Sequence, residues 1–107
     1  MQAAGKPDGR YSLCGEYVEM RSGIVRTASG GLAGSTLSLD AAVRNMVEHA
    51  GVTPADAIHM ASLHPARLLG IDRQLGSLRP GKLANIIALD GGLHLRQIWI
   101  QGQALPL

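Results

Sequence analysis

The chain has 107 residues, a formal net charge of +2 and a hydrophobic fraction of 46%, enough for one small domain with a core and too apolar for a disordered segment. Its ten Lys and Arg residues are scattered singly from Lys6 to Arg96, with one Trp and two Tyr, so the basic stripe and stacking platform of a nucleic-acid binder are missing. One cysteine, Cys14, excludes an internal disulfide and fits a reducing compartment, and no apolar run approaches the ~20 residues of a membrane span. The segment from Met1 to Gly9 lacks the charged-then-apolar order of a signal peptide. Cytoplasm is the expected location.

Pro7-Asp8-Gly9 reads as a turn, with proline presetting φ and glycine accepting the conformation that follows. Tyr11 to Cys14, Tyr17 to Met20 and Ile24 to Thr27 then read as short strands of a hairpin or meander. Within them Cys14 reads as a small apolar filler. Ala28 to Ser35 is a loop of small residues.

The clearest helix follows. Ser38 is a candidate N-cap, and Leu39, Ala42, Val43, Met46, Val47 and Ala50 form one apolar stripe at helical period, stopped by Gly51. Thr53-Pro54 opens a second helix, with a capping hydroxyl, proline at the first helical position and Asp56 in the first turn. Pro65 bends the chain, and a short helix runs through Leu68-Leu69 to Gly70. Arg79-Pro80-Gly81-Lys82 fits a type II turn. Ile86 to Leu89, Leu93 to Gln101 and a last short strand then form a three-stranded ribbon.

That ribbon carries apolar residues on both faces: Leu93, Leu95 and Trp99 alternate with Ile98 and Ile100. A strand apolar on both sides normally has cover on both sides, so the expectation is a sequence cut from a larger fold. The absence of Phe leaves a core of Ala, Leu, Ile, Val and Met, which suits helices on a barrel.

Two blocks carry a family resemblance. Pro65-Ala66-Arg67-Leu68-Leu69-Gly70, followed by Gly76-Ser77-Leu78-Arg79-Pro80-Gly81-Lys82-Leu83-Ala84-Asn85 and an apolar strand, resembles the C-terminal end of metal-dependent amidohydrolases. Asn85 stands where many of them have Asp. The block from Gly31 to Asn45, with Leu32-Ala33-Gly34-Ser35 and Ala42-Val43-Arg44-Asn45, resembles N-acetylglucosamine-6-phosphate deacetylases.

The resemblance implies an α/β fold: a C-terminal fragment of a (β/α)8 amidohydrolase barrel plus strands of the accompanying small β-sandwich. Residues 1–80 would be the last part of the barrel, and residues 81–107 the C-terminal strands of the sandwich. It further implies a deacetylase releasing acetate from N-acetylglucosamine 6-phosphate, with the N-acetylgalactosamine 6-phosphate enzyme as the variant this segment does not separate. The expected assembly is a homodimer acting on an amino-sugar phosphate, with neither nucleic acid nor membrane as partner.

In the family a divalent metal, zinc or similar, polarises the amide carbonyl and activates water, and an aspartate at the end of the last barrel strand moves protons. That aspartate sits in a Thr-Asp-Ala stretch before the segment that aligns with Met1, and the metal ligands lie further upstream. The expectation is therefore no catalytic residue and no metal ligand among Asp8, Asp40, Asp56, Asp72 and Asp90, and an inactive segment in isolation. Only Leu32, Ala33 and Gly34 map onto a functional position, as sugar-contacting residues. Taken without the resemblance, a Gly-rich turn before a helix is more often a connector.

The histidines carry no metal-ligand spacing: His59 and His64 are five apart, and His49 and His94 are isolated. Arg44 and Arg67 could meet a phosphate, yet they sit in or beside apolar stripes, where pairing with a carboxylate or helix-end carbonyls is expected. A second class of reading is non-catalytic, an oligomerisation or interaction module derived from the same family.

Overall fold

Three residue pairs with positive φ set the hairpins: Cys14-Gly15 (52° and 88°), Ser22-Gly23 (49° and 78°) and Gln101-Gly102 (50° and 80°). Two consecutive left-handed residues make the tight turn whose twist matches that of paired strands. The computed structural model describes residues 5–107, so Met1 to Ala4, where the reading of the N-terminus begins, lie outside the described residues. Cys14 is an exposed turn residue and not a strand filler.

The chain divides into two units, Met1–Ser38 and Leu39–Leu107. The first is an antiparallel meander of β1 (Gly9–Leu13), β2 (Glu16–Arg21), β3 (Ile24–Thr27) and β4 (Leu32–Ser35), in that order across the sheet. Pairing sets Tyr11 opposite Val18 and Met20 opposite Val25. Period-two alternation thus gathers Val18, Met20 and a fully buried Val25 on one face, with Tyr11, Leu13 and Ala33 packed beside them. The other face holds Arg10, Glu19, Arg21 and Arg26, together with an exposed Tyr17.

Residues 32–35, read from sequence as loop, pair with β3 and form the edge strand of this sheet. Their small side chains and two glycines before them give no β signal, and pairing with β3 overrides that weak local preference.

The second unit opens with α1 (Leu39–Ala50) and α2 (Pro54–Ala61). The Thr53 hydroxyl accepts from the backbone N–H of Asp56 at 3.2 Å and donates to its carboxylate at 2.7 Å, closing the N-terminus of α2. Helix α3 (Leu63–Leu68) begins before Pro65. The break falls at Ser62, whose φ of −133° leaves the helical region, while Pro65 occupies the first turn of α3, where its missing N–H has no helical partner to lose. Val43, Ala57 and Ala66 are the buried apolar residues of these helices.

Gly81, with φ of 88°, and the Lys82 N–H donating to the Arg79 carbonyl at 3.2 Å give the expected turn. An antiparallel sheet of β5 (Ile86–Leu89), β6 (Leu95–Ile100) and β7 (Gln103–Leu105) completes the unit, in the order β5-β6-β7. Strand β6 starts two residues later than the pattern suggested, because Leu93 takes a positive φ of 61° in the turn.

Candidate functional site

Thr27 locks the loop that leads into β4. Its N–H donates to the Gly31 carbonyl at 2.8 Å, and its carbonyl accepts from the Gly30 N–H at 2.9 Å. Its hydroxyl accepts from the Gly31 N–H at 3.1 Å and lies 2.9 Å from that of Ser29. The Arg26 guanidinium donates to the Gly30 carbonyl at 2.9 Å. A loop of small residues is thereby fixed by backbone and hydroxyl bonds, at the end that delivers Leu32.

The strand that follows is irregular. Gly34 faces Val25 and Leu32 faces Arg26, so Ala33 is the extra residue of a β-bulge. A bulge kinks the strand and leaves one residue out of the ladder. The Ala33 methyl packs against the Val18, Met20 and Val25 cluster, whereas the Leu32 side chain is 75% exposed. Leu32, Ala33 and Gly34 are thus brought together on one edge strand of the first unit. That edge offers peptide groups and one apolar side chain, and residues 27–35 contain no titratable group. It can hold a ligand by hydrogen bonds and contact, and it cannot move a proton.

The remaining polar residues have structural partners. Arg44 donates to the Asp40 carboxylate at 2.9 Å and to the Leu93 carbonyl at 3.0 Å, the carboxylate pairing expected for it. Asn85 accepts from the Gln101 N–H at 2.8 Å through its side-chain oxygen. The rings of His59 and His64 lie 6.3 Å apart between centroids, and Arg67 sits on an open groove of the second unit. Among the described residues no group of three or more His, Cys, Asp or Glu side chains gathers. That donor set does not fit a divalent metal.

Two clusters escaped the sequence reading. The Lys82 ammonium donates to the carbonyls of Asp72 and Leu75, the latter at 3.2 Å, and to the Ser77 hydroxyl at 2.7 Å. The Asp90 carboxylate accepts from the N–H groups of His94 and Gly92, both at 2.9 Å, and from the Arg96 guanidinium at 2.6 Å and 3.0 Å. The His94 N–H leads in holding its carboxyl down to about 2, helped by Arg96 and the Gly92 N–H against the cost of burial. An aspartate just before Gly91-Gly92 is the signal for such a side-chain-to-backbone turn.

Residues 17–105 match the Amidohydrolase family. The chain belongs to that family. Over 103 residues it is 78% identical to the N-acetylgalactosamine-6-phosphate deacetylase of Escherichia coli O157:H7, covering 96% of this chain and 27% of that protein. It is 47% identical over 104 residues to the N-acetylglucosamine-6-phosphate deacetylase of Vibrio furnissii, covering 96% of this chain and 26% of that one. The crystal structure of the N-acetylglucosamine-6-phosphate deacetylase from Pasteurella multocida superposes with a TM-score of 0.89 at 27% identity, over 96% of this chain and 27% of that one. The mixed strand-and-helix structure thus matches part of the deacetylase structures, and the chain spans about a quarter of the length of these three relatives. No helix among the described residues is long and apolar enough to cross a membrane.

Proposed function

We propose that this chain forms the C-terminal portion of a metal-dependent deacetylase that hydrolyses an N-acetylhexosamine 6-phosphate to the amino-sugar phosphate and acetate, and that it is inactive by itself. What carries the reading is identity over nearly the whole chain to enzymes of that description, at 27% coverage of the O157:H7 relative. In this reading residues 1–80 belong to the (β/α)8 barrel and residues 81–107 to the small β-sandwich. The assembly is a cytoplasmic homodimer. The divalent metal supplies carbonyl polarisation and an activated water, held by residues outside this segment.

The contribution of this chain is binding. The bulge takes Ala33 out of the ladder with β3, and small residues let a sugar approach the backbone of this edge strand closely. We assign Leu32, Ala33 and Gly34 to contact with the hexosamine, through backbone and the Leu32 side chain. The resemblance put N-acetylglucosamine 6-phosphate first, with the galacto sugar as the variant that this segment does not separate. Identity of 78% to the galactosamine enzyme, against 47% to the glucosamine enzyme of Vibrio furnissii, favours the galacto substrate instead.

The test is a chimera in which this chain replaces the matching stretch of the O157:H7 relative. Acetate release is then followed with both N-acetylhexosamine 6-phosphates, and with the isolated chain as control. The expected result is an active chimera that prefers the galacto sugar and a silent isolated chain. A folded, metal-loaded chimera that releases no acetate from either sugar would sink the reading.

A further inference from the structure

Glycine follows two of the aspartates, in Asp8-Gly9 and Asp90-Gly91, and neither of the asparagines, Asn45 and Asn85. An Asp-Gly pair is open to a reaction between its own atoms, because glycine has no Cβ to keep its amide nitrogen away from the aspartate Cγ. The other aspartates precede Ala41, Ala57 and Arg73, and two of them, Asp40 and Asp56, lie in helices.

The fold holds the two pairs differently. Asp90 is bonded at every polar group. Its N–H donates to the His94 carbonyl at 3.0 Å, and its carbonyl accepts from the Leu93 N–H at 2.9 Å. Its carboxylate accepts from the His94 N–H, the Arg96 guanidinium and the Gly92 N–H. Led by the His94 N–H, these donors hold its carboxyl down to about 2 against the cost of burial. Asp8 is exposed and lies just outside β1. Its two carboxylate oxygens share a single donor, the Ser22 N–H, at 3.0 Å each. Swinging the carboxyl onto the next nitrogen breaks a whole cluster at Asp90 and one shared bond at Asp8.

From this we infer that Asp8 is the site of a spontaneous isoaspartyl modification, and that the turn around Asp90 protects the second Asp-Gly pair from it. In the first step the Gly9 nitrogen bonds to the Asp8 Cγ. The amide proton and the carboxyl hydroxyl leave together as water, and a five-membered succinimide closes. In the second step water adds to the main-chain carbonyl carbon of Asp8, the bond from that carbon to the Gly9 nitrogen breaks, and a proton passes to the nitrogen. One water is lost and one gained, with no change of oxidation state. The main chain then runs through the former side chain, longer by one methylene, and a free α-carboxylate remains. That α-carboxylate is the chemical class of group that an S-adenosylmethionine-dependent carboxyl methyltransferase esterifies. The side chain that joined the start of β1 to the β2–β3 turn is consumed, so the Ser22 N–H loses its acceptor. The inference rests on the geometry of this chain and is independent of the deacetylase reading.

The experiment holds the chain at mildly acidic pH, folded in one sample and unfolded in guanidinium chloride in another. Isoaspartate at each site is then followed by electron-transfer fragmentation of the digested protein. In the unfolded sample both pairs are expected to convert at similar rates. In the folded sample Asp8 converts, and Asp90 is spared by about tenfold or more, since a carboxyl held at about 2 instead of 3.8 is far less often protonated for loss of its hydroxyl. Gly9→Ala is expected to slow conversion at Asp8 several-fold and to leave Asp90 as it was. The fold accepts that methyl, because it meets only the Tyr11 ring at 3.8 and 4.0 Å. Arg96→Gln removes two of the bonds on Asp90 and is expected to speed conversion there. Equal conversion of Asp8 and Asp90 in the folded chain overturns the inference. So does an unconverted Asp8 in the folded chain once the unfolded sample has largely reacted, or a rate at Asp8 that Gly9→Ala leaves unchanged.

Discussion

Arg44 on α1 holds the carbonyl of Leu93, forty-nine residues away in sequence, at 3.0 Å. Leu93 has a positive φ of 61° in the turn before β6, so its carbonyl is turned out of the ladder and takes a side-chain donor instead. The same guanidinium nitrogen bonds Asp40 one helical turn back. One cation thus joins the first helix of the unit to the β5–β6 hairpin.

Replacing it tests that tie. Arg44→Met keeps much of the apolar stem and removes both bonds, and the expected loss of stability is about 1–2 kcal/mol. Arg44→Lys should recover part of it. Urea unfolding of the three proteins measures this, and equal midpoints would show that the tie contributes nothing.

Lys82 fixes the loop from Asp72 to Ser77 by bonds to two carbonyls and a hydroxyl. Lys82→Met leaves those acceptors without their charged donor, at a cost of about 2 kcal/mol. Amide exchange should accelerate in residues 72–83 first, and a uniform change along the chain would contradict a local role.

Asp90 predicts an acid limit. Its folded carboxyl lies at about 2, below the ordinary 3.8. A depressed carboxylate contributes stability that is complete above 3.8 and is lost as pH falls through about 2. Asp90→Asn should therefore be less stable than the parent near neutrality, and the difference should shrink across that acid window. A carboxyl carbon resonance of Asp90 titrating near its ordinary value would contradict the geometry.

Thr27 belongs to the candidate sugar edge through Gly31. Thr27→Val removes the hydroxyl that accepts the Gly31 N–H, with an expected loss of about 1 kcal/mol, while Thr27→Ser retains the bond. In the chimera, Thr27→Val should raise KM more than it lowers kcat, because a loosened binding edge loses contact with substrate and transition state alike. An unchanged KM for both hexosamine phosphates would separate this loop from the substrate.

The elements governed by local rules were legible from sequence. The apolar stripe from Leu39 to Ala50 can be buried only as a helix, Thr53-Pro54 closes a helix start by itself, and Arg79-Pro80-Gly81-Lys82 carries its own turn geometry. Family membership was legible for the same reason, since Pro65 to Gly70 and Gly76 to Asn85 are contiguous. The edge strand at Leu32 to Ser35 depends on pairing with β3, and its bulge at Ala33 depends on the register of that pair; neither leaves a mark in a run of small residues. The partners of Arg44 and Lys82 are carbonyl oxygens, present on every residue and so invisible in side-chain identity. Residue type and spacing determined helices α1 and α2, the turn at Arg79 to Lys82 and the family. Only the folded chain decided which backbone groups were left for a side chain to find, because that depends on strands and turns brought together from distant parts of the sequence.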